Sequence, residues 1–193
     1  MQKSIHGLEP DRSSTALLIL DMISDFRFPD GEAVARAARR IAPQVLKLRE
    51  RVRAAGFSVL YVNDNPGKWQ SDAPALIRNA KSSGSTGAEV AALLEPDEDD
   101  YFILKPRHSA FYATPLELLL EHMGARRLIL AGVSSHQCVL FTANDAHLRN
   151  YELIVPSDCI AGPSAAQTRF AAKYFRTVLG AKVAPLSSLR FKR

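Results

Sequence analysis

Six short apolar runs that alternate with stretches of helical spacing constrain this chain more than any other feature. The runs are Ala16 to Asp21, Ser58 to Asn63, Tyr101 to Lys105, Arg127 to Ala131, Glu152 to Pro156 and Ala181 to Ala184. Most are almost continuously hydrophobic, as strands covered on both faces should be. Between them the patterning predicts helices over Glu32 to Ala55, Ala88 to Leu94, Thr114 to Met123, His136 to Asn150 and Ser164 to Leu179. Repeated strand–helix alternation implies a parallel sheet with helices on both faces. The expected fold class is therefore α/β, a three-layer α/β/α arrangement around a six-stranded parallel sheet.

Local punctuation supports these elements. Thr114-Pro115-Leu116-Glu117 combines an N-cap, a proline at the first helical position and a capping-box glutamate. Ser164 with Gln167 repeats the capping-box logic, and Gly56, Gly124 and Gly180 stand where three helices should end. Asp64 to Gly87, rich in Asn, Gly, Ser and Pro, reads as a long surface loop of the kind that often covers a site. With 193 residues and no internal repeat or linker, one domain over residues 1–193 is expected, its core at about 14–186.

Composition serves mainly to exclude. No apolar run approaches the roughly 20 residues that span a bilayer, and Met1 to Ser14 lacks a hydrophobic signal core; a soluble, cytoplasmic protein is expected. The formal charge is +5, but its cations cluster only at Arg36 to Arg53 and Arg190 to Arg193. No groove-reading or stacking motif accompanies them, so no nucleic-acid partner is expected. Two cysteines, Cys138 and Cys159, make neither a disulfide framework nor a Cys-rich metal site.

In an open parallel sheet, ligands bind beyond the carboxyl ends of the strands, near the reversal of strand order. Asp21 closes the first strand, Lys105 closes the third, and Cys138 follows the fourth by one turn. A thiol in the first turn of a helix meets unpaired N–H groups and the helix dipole, which favour thiolate and can hold an oxyanion. A carboxylate can take the thiol proton and pass it to a leaving amine, while a lysine keeps the acid ionised and favours thiolate. Each residue also has a plainer role: a small hydrophobe for Cys138, a turn or cap for Asp21, a solvated strand end for Lys105.

Three segments in this order are Leu18-Ile19-Leu20-Asp21-Met22-Ile23-Ser24-Asp25-Phe26, Lys105-Pro106-Arg107-His108-Ser109-Ala110-Phe111 and Gly132-Val133-Ser134-Ser135-His136-Gln137-Cys138-Val139. They resemble the isochorismatase-like cysteine hydrolases, over about residues 14–186. The resemblance implies strand order 3-2-1-4-5-6 and the triad Asp21, Lys105 and Cys138, with Cys138 as nucleophile. It also implies a cis peptide between Val133 and Ser134, and an oxyanion hole from the N–H groups of Ser134 and Cys138.

Two departures narrow it. Nicotinamidases carry an Asp-x-His and a further His as metal ligands after the second strand; here Asn63-Asp64-Asn65-Pro66-Gly67-Lys68-Trp69 follows, and no histidine lies between His6 and His108. No metal is expected. Isochorismatases cleave a vinyl ether and lack the catalytic cysteine, which this chain keeps, so acyl transfer to water is preferred. Without a Gly-x-Gly-x-x-Gly motif after the first strand, no nucleotide cofactor is implied.

Candidate substrate contacts are Phe26, Asn63, Trp69, Phe111, His136 and Gln137. His136 is also weighed as a base for Cys138, but two residues away on one helix it would project to a different face. Arg107, His108 and Tyr112 either favour an acidic substrate or face solvent. Cys159 is read as packing. The expected partner is a small amide, ureido or carbamoyl substrate, and a homo-oligomer, dimer or tetramer, is expected. The alternatives are hydrolysis of another bond, or a silent small-molecule-binding protein.

Overall fold

A computed structural model describes residues 12–65, 70, 72–82 and 84–192. The apolar runs form β1 (Thr15–Leu20), β2 (Ser58–Asp64), β3 (Tyr101–Lys105), β4 (Arg127–Gly132), β5 (Glu152–Pro156) and β6 (Lys182–Ala184). They make one parallel sheet in the order β3-β2-β1-β4-β5-β6. Strand order thus reverses between β1 and β4, the strands that lead into Asp21 and Cys138.

Every residue of β1 is buried, and its alternating side chains divide the core into two layers. Leu17 and Ile19 pack beneath α1 (Gly31–Ala54) with Val34, Ala38, Ile41, Val45, Leu48 and Val52. The spacing of those six residues keeps them on one face of the helix. Leu18 and Leu20 face the other way, onto Leu120 of α4 (Leu116–Met123), Val139 and Ala143 of α5 (Cys138–Leu148) and Phe175 of α6 (Ala165–Thr177). Removing one of these buried leucines would cost about 2–5 kcal/mol.

The structure departs from the sequence reading in three places. Asp64 to Gly87 is not a continuous loop: it contains α2 (Ala73–Lys81), followed by α3 (Ala88–Leu93). Asp72 caps α2 by accepting from the Ala75 N–H at 2.6 Å, with Pro74 in the first turn. Thr114 is not the N-cap of α4. The helix bounds put Pro115 in that position, although the Thr114 hydroxyl, which donates to the Ala110 carbonyl, still accepts the Leu116 N–H as a cap would. Helix α5 begins at Cys138 rather than His136, since residues before it form a turn with Gln137 at φ −125°, ψ −98°. The Ser164–Gln167 capping box of α6 is present.

One glycine sets how closely the two central strands end. A Cβ on Gly132, at φ +114°, would lie 2.1 Å from the Leu20 carbonyl oxygen. Only a residue without a side chain allows β4 to finish against β1 here, and the Val133 N–H then donates to that same oxygen at 3.0 Å.

Candidate active site

Asp21 leaves β1 in a left-handed conformation, φ 52°, which aspartate tolerates better than most residues. Its N–H still donates to the Val62 carbonyl. The side chain turns toward β2 and accepts the Asp64 N–H on Oδ1 at 2.8 Å. Lys105 closes β3 in register with Asp64 and is fully buried. Its Nζ lies 3.0 Å from Asp21 Oδ2, donates to Cys138 Sγ at 3.5 Å and pairs with the exposed Asp64 carboxylate.

Cys138 is the first residue of α5 and buried. The Val133–Ser134 peptide before it is cis. Gln137 and Val139 donate their N–H groups to the Ser134 carbonyl. Among the described residues, the N–H groups of Ser134 and Cys138 meet no acceptor, and both residues line the same cavity as the sulfur.

Charge and burial work against each other here. Burial pushes the Asp21 carboxyl up; Lys105 opposes this and Asp64 adds to it. Burial also opposes the Lys105 ammonium, but Asp21, Cys138 and Asp64 outweigh it and hold lysine above its ordinary range. The Cys138 thiol is pushed far up, first by burial and then by the Asp21 charge, with Lys105 opposing. Burial and the Asp21 charge thus oppose the thiolate that the helix terminus and Lys105 favour. Asp21 Oδ2 has the Lys105 ammonium 3.0 Å away, and the Cys138 thiol is a hydrogen-bond partner of the carboxylate, so the acid stands where it can receive that proton.

A cavity of about 690 Å³ opens above this cluster, within the size range of small-molecule sites. Phe26, Phe28, Val34 and Leu76 give it an apolar wall, and Asn63, Arg107, His108 and Gln137 also line it. Asn63 is buried and donates to the Ile23 carbonyl at 2.9 Å, bracing the segment that carries Phe26.

Two other sequence candidates lie elsewhere. Phe111 is packed in the core between the Arg149 guanidinium and Tyr151. His136 receives the Gln167 amide at 3.2 Å instead of reaching the cavity. Trp69 falls outside the described residues. Tyr112 is 58% exposed and does not line the cavity, and Cys159 is fully buried core. Asp64 and His108 had no assigned part in the chemistry, yet both meet the cluster: His108 Nδ1 is 3.7 Å from Cys138 Sγ. The spacing Lys105-x-x-His108, one tight turn after a strand, was the available signal.

Asp21, Asp64 and Cys138 offer donor atoms within 4.8 Å of one another, the only such group among the described residues. Lys105 already contacts all three, so its ammonium supplies the positive charge a cation would bring.

Residues 15–188 match the family model described as the isochorismatase domain. The chain belongs to the isochorismatase family. It is 38% identical to the isochorismatase family protein YaaI of Bacillus subtilis, covering 89% of this chain and 94% of that one. It is 28% identical to the ureidoacrylate amidohydrolase RutB of Methylorubrum extorquens, covering 81% and 74%. The crystal structure of N-carbamoylsarcosine amidase from Thermoplasma acidophilum superposes with a TM-score of 0.69 at 29% identity, covering 91% and 98%. The six-stranded fold is that of the isochorismatase-like proteins, and this member is a hydrolase.

Proposed function

We propose that this hydrolase cleaves a C–N bond in a small amide, ureido or carbamoyl compound through a thioester on Cys138. The observation that carries the reading is Lys105 Nζ, buried and in contact with both Asp21 and Cys138 at the floor of the cavity. Amidohydrolases among its relatives, acting on ureidoacrylate and N-carbamoylsarcosine, support the bond class.

In this reading Asp21 takes the thiol proton while sulfur attacks the carbonyl carbon. The pushed-up carboxyl is a stronger base for that transfer than an ordinary aspartate. The N–H groups of Ser134 and Cys138, unengaged within the described protein, hold the oxyanion; such donors are each worth about 10²–10³ in rate. Asp21 then gives its proton to the departing nitrogen, and water hydrolyses the thioester. Lys105 stays charged throughout and limits the cost of moving charge in a buried site.

The test is ammonia release from a panel of small amides, ureido acids and carbamoyl compounds by wild type and Cys138→Ala. Release that vanishes in the variant is expected. Turnover that survives Cys138→Ala would refute the thioester.

A further inference from the structure

Cys138 Sγ has a second neighbour able to carry a proton. His108 Nδ1 lies 3.7 Å away, and the imidazole rests tilted at 45° against the Phe141 ring, centroids 5.3 Å apart. The two flanking groups are placed differently. Asp21 is buried, with Lys105 beside it and the Asp64 amide on Oδ1. His108 is exposed and lines the cavity. Among the described residues its imidazole has no hydrogen-bonding neighbour other than the sulfur.

Of the two, His108 is the one exposed to solvent where it lines the cavity beside the sulfur. We propose that His108 is the catalytic base of deacylation, with Asp21 serving acylation from beneath. This rests on the cysteine-nucleophile reading above. Unprotonated Nδ1 accepts one proton from water as its oxygen bonds to the thioester carbon. The tetrahedral intermediate collapses with cleavage of the C–S bond, and the departing sulfur takes the proton back from Nδ1 across the 3.7 Å contact. Thiol and neutral imidazole are restored, and the product leaves as a carboxylic acid. An acid at the floor and a base at the mouth divide two proton transfers that one buried carboxylate would otherwise perform in sequence.

The experiment uses p-nitrophenyl acetate, whose activated ester acylates a cysteine without the natural substrate. Nitrophenolate release and intact mass are followed in wild type, His108→Ala, His108→Gln and Cys138→Ser. Acylation of His108→Ala should stay within a few-fold of wild type. Its deacylation should slow by about 10²-fold or more, the range for loss of a general base, so that an acetyl adduct accumulates on Cys138. Added imidazole should restore deacylation in the alanine variant, a rescue that a mere packing role would not give. Equal deacylation rates in wild type and His108→Ala would overturn the assignment while leaving the nucleophile intact. Parallel loss of both steps in His108→Ala and His108→Gln would assign His108 to structure and overturn it too. Absence of any Cys138 adduct in wild type and both His108 variants would instead remove the nucleophile, and this proposal with it.

Discussion

Lys105 Nζ lies 3.0 Å from Asp21 Oδ2, with the lysine side chain fully buried and the aspartate nearly so. The pair stands at the strand-order reversal, where β1 delivers the acid and β3, two strands away across β2, delivers the cation. Because Asp64 is largely exposed, it shares the ammonium but is also solvated. Asp21 therefore depends on Lys105 far more than Asp64 does.

That dependence predicts a non-additive stability. Lys105→Met removes one partner of a buried pair and should cost about 3–5 kcal/mol, measured by urea unfolding at neutral pH. Adding Asp21→Asn removes the stranded carboxylate, so the double variant should be more stable than the Lys105 single. If the two costs simply add, the pair is not coupled.

Asp21→Asn should separate thiol reactivity from turnover. The Asp21 charge is among the causes that push the Cys138 thiol up, so its removal lowers the thiol and raises the thiolate fraction at a given pH. Iodoacetamide should label Cys138 faster in the variant, with fully buried Cys159 as an internal reference. Amide hydrolysis should meanwhile fall by about 10²–10⁴-fold, because the base is gone. Slower labelling would mean that Asp21 acts as a base toward iodoacetamide too, and that this outweighs the effect of its charge on the thiol.

The strands were legible because buried parallel strands must be continuously apolar, and β1 and β4 are; their order came only from the resemblance to the family. Helix α2 was not, because only Leu76 and Ala80 of its nine residues are buried; so short a buried face gives little periodicity to read. Asp21, Lys105 and Cys138 were legible as polar residues ending strands. The share of Asp64 in the cluster depends on its register opposite Lys105, and that of His108 on the turn after β3. The first relation is not written in local sequence, and the second only in the Lys105-x-x-His108 spacing. Phe111 shares a motif with Lys105, but the chain turns between them and sends the ring into the core beneath α4.

Alkaline pH should destabilise the fold more steeply than its surface charge would. Burial pushes both Cys138 and Cys159 above their ordinary value of 9.0. Above that value the unfolded thiols ionise while the native ones keep their protons. The native state then binds more protons, and unfolding free energy falls as pH rises. Each thiol contributes a loss of about 1.4 kcal/mol per pH unit, fully absent below the unfolded value. Urea midpoints at pH 8, 9 and 10 should show this slope, and Cys159→Ala should remove about half of it. An unchanged slope in that variant would contradict native-state protonation of Cys159.

Gly87 should prove indispensable to the cavity wall although its backbone is unstrained, with φ −97°. A Cβ there would lie 1.8 Å from the Ser24 carbonyl oxygen and 3.0 Å from the Phe26 ring. The obstacle is backbone, so the Ser24–Phe26 segment must move, and Phe26 lines the cavity. Gly87→Ala should lower stability by about 1–3 kcal/mol, as overpacking does, and raise KM more than it lowers kcat. Gly84→Ala provides the contrast: its φ is +82° but nothing lies within 4 Å of the added carbon. It should carry a backbone cost of about 1 kcal/mol with KM unchanged. If both variants lose stability equally and neither shifts KM, contact between Gly87 and the Phe26 segment does not shape the site.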